Sequence, residues 1–255
     1  MKEGKVSVIM ACYNASPFIG QAIDSVLAQT FTDWELIIIN DASTDNSLEV
    51  ISTYTDPRIK LLQLNVNLGP GGARNKGIEI AQGQYLAFLD ADDAWLENKL
   101  VLQLKLLKEK KAALCYSSYL LMDKNGVSMR KYIQAFEKIN YQQMLRNNYI
   151  GCLTVVIDRN VTGDVQMPLR RKRQDWGLWI HILKKHNIAY GVTEPLAMYR
   201  LHSDAISRQK LQLLSANYSF YKEELGYGPS KAFTQMIKFL FSYFSYKISQ
   251  TKKLG

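Results

Sequence analysis

The chain is predicted to be an α/β protein built on a mostly parallel sheet with helices against its faces. Three observations carry that prediction. Apolar runs and amphipathic segments alternate four times between Val6 and Asp93. Each run stops at a polar or glycine-containing stretch, as buried strands of βαβ units do. The fourth run, Leu86-Ala87-Phe88-Leu89, ends abruptly in three carboxylates, Asp90, Asp92 and Asp93.

Val6 to Ala11 is the first strand, ending at Cys12-Tyr13-Asn14. Ser16-Pro17 places a hydroxyl at an N-cap and proline at the first helical position of a helix reaching Gln29. Glu35 to Asn40 is the second strand, and Asp41 to Asn46 the turn after it. A helix follows from Ser47 to Tyr54, capped by Thr44 or Asp45, until Asp56-Pro57 breaks it. Ile59 to Leu64 is the third strand. Asn67 to Gly72 reads as a glycine-rich loop opening a helix through Ala81, and Tyr85 to Leu89 is the fourth strand. In parallel sheets the ligand crevice lies at the carboxyl ends of the strands. The loops carrying Tyr13-Asn14, Asp41 to Asp45, Asn67 to Gly72 and Asp90 to Asp93 therefore converge on one edge.

Three carboxylates at one strand end repel unless a cation neutralises them. Oxygen donors in this number suit Mg²⁺ or Mn²⁺. A solvated acidic turn capping a helix near Glu97 is the plainer alternative. The glycine-rich stretch is neither a Walker motif nor a Gly-Xaa-Gly-Xaa-Xaa-Gly fingerprint, so a dinucleotide fold is disfavoured. Gly71 and Gly72 ahead of Arg74 fit a diphosphate at a helix N-terminus, or equally a tight turn with a surface arginine.

Beyond Trp95 a helix is expected at Leu100 to Leu107 and a strand at Ala112 to Met122. A hairpin turn follows at Asp123 to Gly126, then a helix at Tyr141 to Asn148 and a strand at Gly151 to Ile157. Arg170 to Arg173 are four cations before Gln174-Asp175-Trp176, and Asp175 is expected to cap the helix that it begins. The basic run is either a solvated face or a holder of anionic substrate. Trp176 either packs or walls an acceptor site. Pro195 to His202 reads as a strand whose terminal imidazole is a competent Mn²⁺ ligand beside Asp92.

The tail from Lys231 to Lys253 forms an amphipathic helix, with Ile237, Leu240, Phe241, Phe244 and Ile248 on one face. That face suits an anionic membrane surface, packing on the domain, or a second copy in a homodimer. The formal charge of +9 favours anionic partners, and the 47% apolar share supports a sizeable core. Cys12, Cys115 and Cys152 are scattered, which suggests reduced thiols and no zinc site. No apolar run reaches the roughly 18 residues of a spanning helix, and the N-terminus lacks a signal-peptide core. A cytoplasmic protein is expected, peripheral on the inner face of the plasma membrane if the tail binds lipid.

Taken together these stretches resemble the family 2 glycosyltransferases, the large inverting family with the Rossmann-like GT-A fold. The likeness runs from Val6 to about Ser207. It rests on Val-Ser-Val-Ile-Met-Ala-Cys-Tyr-Asn (6–14), Ile-Ile-Ile-Asn-Asp-Ala-Ser-Thr-Asp (37–45), Asn67 with Gly69, and Ala-Arg-Asn-Lys-Gly (73–77). It continues with Phe-Leu-Asp-Ala-Asp-Asp (88–93), Gln-Asp-Trp (174–176) and Tyr-Arg-Leu-His-Ser (199–203). The resemblance implies a domain over 1–207, with a nucleotide-binding half (1–95) and an acceptor half (96–207), and a helical extension over 208–255. It implies that Ala11, Tyr13 and Asn14 flank the nucleobase and that Asp41 binds uracil or its ribose. Asn67 and Arg74 would lie near the nucleotide, and Asp90 with Ala91 would meet the ribose. Asp92 and His202 would hold the metal. Asp175 would be the catalytic base, with Asp93, Gly151, Gln174 and Trp176 near donor or acceptor. Gln174 stands where the family usually has glutamate, and Asn40 where a second aspartate is common.

The implied reaction moves a hexose from a nucleotide sugar, most simply a UDP-sugar, to an acceptor hydroxyl by metal-assisted single displacement with inversion. The implied acceptor is a lipid-linked saccharide in the assembly of a cell-surface polysaccharide or teichoic-acid-like polymer. A sugar nucleotidyltransferase would carry a glycine-, arginine- and lysine-bearing signature after the first strand, where Cys12-Tyr13-Asn14 stands. A basic membrane- or nucleic-acid-binding module would show a longer basic stripe with interleaved aromatics, and it would leave the aspartates unexplained. Nucleic acid is therefore not an expected partner.

Overall fold

The computed structural model describes residues 1–201 and 210–253. Four strands build its N-terminal half: β1 (Lys2–Cys12), β2 (Trp34–Asn40), β3 (Ile59–Gln63) and β4 (Gly83–Asp90). They lie in the order β3-β2-β1-β4, all parallel, and this half matches the expected βαβ pattern. The connecting helices are α1 (Ile19–Leu27), α2 (Ser47–Ser52) and α3 (Gly69–Ile80). β1, β2 and β4 are buried on both faces, which explains their nearly unbroken apolar sequence. Ile9, Ile37, Ile39 and Phe88 point to one core, and Val8, Met10, Ile38 and Leu89 to the other. On the first face α3 lies so close that a side chain at Gly77 would come within 2.6 Å of Ile39 and 2.7 Å of Ile9.

The second half is mixed rather than parallel. It contains β5 (Ala94–Trp95), α4 (Lys99–Lys110), β6 (Leu114–Met122), β7 (Ser128–Ile133) and β8 (Lys138–Asn140). There follow α5 (Tyr141–Met144), β9 (Val156–Asp158), α6 (Arg159–Thr162), α7 (Gln174–His186) and β10 (Ile188–Arg200). β9 joins the halves, pairing antiparallel with both β4 and β6. β10 runs parallel to β6 and antiparallel to β5 and β8.

Several boundaries differ from expectation for identifiable reasons. Ser16 does not cap α1, which begins only at Ile19 after Phe18, and both the Ser16 hydroxyl and its backbone N–H bond Asp45 instead. Gly71 and Gly72 lie in the first turn of α3, not in a loop. Only Tyr141–Met144 is helical in the expected Tyr141–Asn148 segment, and Gly151 leads into a 3₁₀ turn, Cys152–Thr154, before β9. α4 begins at Lys99 after Asn98, so Asp93 caps no helix.

The C-terminal extension folds against the second half. It consists of α8 (Lys210–Ser219), a π-helical turn (Phe220–Glu224), α9 (Pro229–Gln250) and β11 (Thr251–Lys253). β11 pairs antiparallel with β7 and so adds a strand to the sheet edge. Phe220 stacks on Trp176 at 4.6 Å between ring centroids, and both are fully buried.

Candidate active site

The four strand-end loops of the parallel half do converge, and they are tied together by side-chain-to-backbone hydrogen bonds. The Asn14 side-chain oxygen accepts the Thr44 N–H at 2.8 Å, and the Asn14 N–H is donated to Ser43 Oγ. Asn14 holds a left-handed backbone (φ 50°), which asparagine tolerates better than most residues. Asp41 is buried and accepts the Leu68 N–H at 2.7 Å, while Asn67 donates to the Asp41 carbonyl. Asp45 accepts from Ser16 and Ser47, and despite partial desolvation these bonds hold its carboxyl down at about 2. Tyr13 projects from this edge, half exposed, beside half-buried Ala11.

The acidic cluster divides into three environments. Asp90 ends β4 and forms an ion pair with Arg74 of α3. Ala91 is buried and Asp92 half-buried. Asp93 is buried: its Oδ1 accepts the Arg200 N–H at 2.9 Å and its Oδ2 has no hydrogen-bond partner. Burial, reinforced by the Asp92 and Asp90 charges, pushes the Asp93 carboxyl well above the usual carboxylate range. Among the described residues, no three acidic, imidazole or thiol groups converge on one point. A Mg²⁺-type site needs only one or two protein carboxylates, with water and phosphate supplying the rest. Hard oxygen donors and one orphaned buried carboxylate oxygen fit such an ion held together with a diphosphate.

Arg74 links this cluster to the second half of the site. It is buried, and its Nε and Nη1 have no partner. Burial opposes its charge, but the carboxylates of Asp90 and Asp175 favour it, and the net direction is upward. Asp175 lies at the start of α7, not at its cap, since Arg173 occupies the cap with a left-handed backbone (φ 69°). Its Oδ2 accepts a 2.9 Å hydrogen bond from Asn148 Nδ2. The Asn148 Oδ1 is buried without a partner. Cys152 sits among Arg74, Asp90 and Asp175, and burial keeps its thiol protonated. Asp90 through its ion pair and Asp175 through its charge, far apart in sequence, thus act on one buried guanidinium whose Nε and Nη1 are unspent.

The remaining expected residues divide. Gln174 is buried with Oε1 unpartnered, and it packs so closely on α3 that a Cβ at Gly71 would meet the Gln174 Cβ at 3.3 Å. The Gly151 carbonyl accepts from Thr154 and closes the 3₁₀ turn. Trp176 does not wall an acceptor site: it is wholly buried, and its Nε1 donates to the Met144 carbonyl at 2.7 Å. The basic run is neither a free face nor a substrate cradle in the main. Arg170 pairs with Glu223 and Ser219, and Arg173 donates to Asn217, so both grip the extension. His202 lies outside the described residues.

Asn148 and Arg200 escaped the sequence reading. Arg200 is buried and donates its N–H to Asp93, its Nε to the Asp92 carbonyl and its Nη1 to the Lys124 carbonyl. It fastens the end of β10 to the acidic cluster. An arginine closing an otherwise apolar strand was the available signal. Nothing around Asn148 distinguished it from a surface asparagine.

Comparison with known proteins agrees with this architecture. The model of the family described as "Glycosyl transferase family 2" matches residues 7–163. TuaG of Bacillus subtilis (strain 168), named as a glycosyltransferase of teichuronic acid biosynthesis, is 44% identical over 220 residues, covering 86% of this chain and 87% of its own. The Escherichia coli UDP-Glc:alpha-D-GlcNAc-diphosphoundecaprenol beta-1,3-glucosyltransferase WfgD is 38% identical over 219 residues, covering 86% and 85%. In structure the chain resembles S. aureus TarS in complex with UDP-GlcNAc, with a TM-score of 0.71 at 18% identity over 94% of this chain and 73% of that one. The mannosyltransferase PcManGT of Pyrobaculum calidifontis, in complex with GDP-Man and Mn²⁺, gives 0.67 at 14% identity over 96% and 75%. The sheet, the convergent loops and the family match lead to one conclusion: the chain is a glycosyltransferase of family 2 with the GT-A fold.

Proposed function

We propose that the enzyme transfers a sugar from a UDP-sugar to a hydroxyl of a lipid-linked saccharide, with inversion, in the assembly of a cell-surface polysaccharide. The observation that carries this reading is that buried Arg74, ion-paired to Asp90 at the end of β4, also feels the charge of Asp175 at the start of α7. Transfer needs charge stabilisation at the leaving diphosphate and a base on the opposite side of the sugar. The unspent Nε and Nη1 donors of Arg74 are suited to phosphate oxygens. Asp92 would hold Mg²⁺ or Mn²⁺ together with the diphosphate, joined by His202 if the family pattern extends that far. Such an ion, when bound, neutralises leaving-group charge. Tyr13, with Ala11 and Asn14, would bracket the nucleobase, and Asp41 and Asn67 would hold the adjoining loop against it. Asp90 would contact the ribose.

On the other side Asp175 accepts the proton of the acceptor hydroxyl as it attacks. Asn148 fixes one carboxylate oxygen and leaves the other for that proton. WfgD and TuaG support the acceptor class, because the first is named for a diphosphoundecaprenol acceptor and the second for a wall polymer. The test is Asp175→Asn. Transfer from UDP-glucose should fall about 10²- to 10⁴-fold while UDP affinity, read by titration calorimetry, is unchanged. Loss of UDP binding would remove Asp175 from the role of base.

A further inference from the structure

α9 has two apolar faces, and the fold uses only one. Ala232, Met236, Phe239 and Tyr246 turn inward, with Phe239 against Trp176 and Tyr246 against Phe136 and Tyr149. The stripe expected from the sequence is the other face. Ile237 is 53% exposed, Leu240 37%, Phe241 81% and Phe244 62%, and Phe233, at 63%, extends it. These five positions recur at helical spacing, so they form one continuous strip. The side chain of Ile248 lies outside the described ones.

The charge around this strip is of one sign. From Leu225 to the last residue the sequence holds Lys231, Lys238, Lys247, Lys252 and Lys253, and no aspartate or glutamate. Lys231, Lys238, Lys252 and Lys253 are exposed. No described helix is long and apolar enough to cross a membrane. A helix with exposed aromatics, flanking lysines and modest overall apolarity belongs in a lipid interface. A two-fold contact between copies through this strip would set the lysines of one α9 against those of the other, with no acid on either helix to answer them.

We propose that the Phe233–Phe244 face of α9 seats on an anionic bilayer surface and presents the base side of the site to acceptors held there. The proposal deepens the lipid-linked acceptor reading and rests on it for its purpose, though not for its test. The packed face makes the docking consequential. Gln235 donates to the Leu145 carbonyl, and Tyr246 packs on Tyr149, the neighbour of Asn148. A cavity of 190 Å³ lined by Phe136, Tyr149, Phe241, Ser242 and Ser245 opens between α9 and that segment. The docked strip and the cavity beside Tyr149 thus share Phe241.

The test is flotation of the full chain with vesicles of phosphatidylcholine alone and of phosphatidylcholine mixed with phosphatidylglycerol, without donor or acceptor. The chain should float with the mixed vesicles, less so at high salt, and only weakly with the neutral ones. Phe241→Ser with Phe244→Ser should weaken flotation on the order of tenfold or more at an unchanged melting temperature. Lys231→Glu with Lys238→Glu should weaken it too, and serves if the first variant melts early. Equal flotation of both variants and the parent would overturn the proposal, as would equal binding to neutral vesicles. So would a dimer, seen by light scattering, that the serine variant dissolves. Asp175→Asn should still float, so failure of the catalytic reading and failure of docking are read separately.

Discussion

The edge proposed to bind the donor and the side proposed to supply the base are built in opposite ways. At the donor edge, Asp90, Asp92 and Asp93 arrive together at the end of β4, a strand buried on both faces that runs parallel to β1 and antiparallel to β9. The stitching bonds there join successive loops of the same βαβ series, such as Asn14 to Thr44 and Asp41 to Leu68. On the base side, Asp175 is oriented by Asn148 from another segment. That segment is held in turn at the Leu145 carbonyl by Tyr221 and Gln235 of the extension. One half is set by strand register, the other by contacts between segments far apart in sequence. The lesson is that the extension helps to hold the segment that orients Asp175, the proposed base.

After Asp175→Asn, for which the largest loss is expected, the next variant tests the donor edge alone. Asp92→Ala should lower metal-dependent UDP affinity tenfold or more, because a carboxylate ligand to the ion is lost. Titration of UDP with and without Mn²⁺ reads this, and an unchanged Mn²⁺ dependence would break the assignment. The next variant tests the base side. Asn148→Ala frees Asp175 to rotate, and kcat should fall about 10- to 100-fold with UDP affinity intact. A fall in UDP affinity instead would erase the distinction between the halves.

A smaller effect is expected further out. Tyr221→Phe removes one of two donors to the Leu145 carbonyl, at a cost of about 1 kcal/mol in urea unfolding. kcat should move more than UDP affinity if the extension serves the base side.

The last expected effect is on stability rather than on transfer and concerns Lys99, wholly buried on α4. Its ammonium meets Gln103 Oε1, and the Gln103 amide donates to the Thr154 carbonyl on the turn after Gly151. Burial depresses the Lys99 pKa from 10.5 to about 7. Between those values the unfolded chain holds a proton that the native state lacks, so this group makes stability rise with pH through that window. Lys99→Met should flatten the rise by up to about 1.4 kcal/mol per pH unit, measured by urea unfolding at pH 7 and 9. An unaltered slope would mean that Lys99 keeps its proton in the fold.

The sequence by itself determined the parallel half and its loops. Apolar strands buried on both faces leave an unambiguous pattern, and strand-end residues go where the strands end. Asp41, Arg74, Asp90 and Asp92 could therefore be named before any coordinates. Tertiary structure alone decided the rest. Asn148 has no local signature, because its role exists only once α7 is brought beside it. Trp176 and the basic run stay open between two readings in the sequence for the same reason: an aromatic or an arginine beside an aspartate can be a ligand contact until Phe220, Asn217 and Glu223 fold over it. Helical periodicity likewise revealed the apolar strip of α9, but not that a second face of the same helix would supply the packing. Register and burial are written in neighbouring residues, whereas the partners that orient a base are chosen by how distant segments meet.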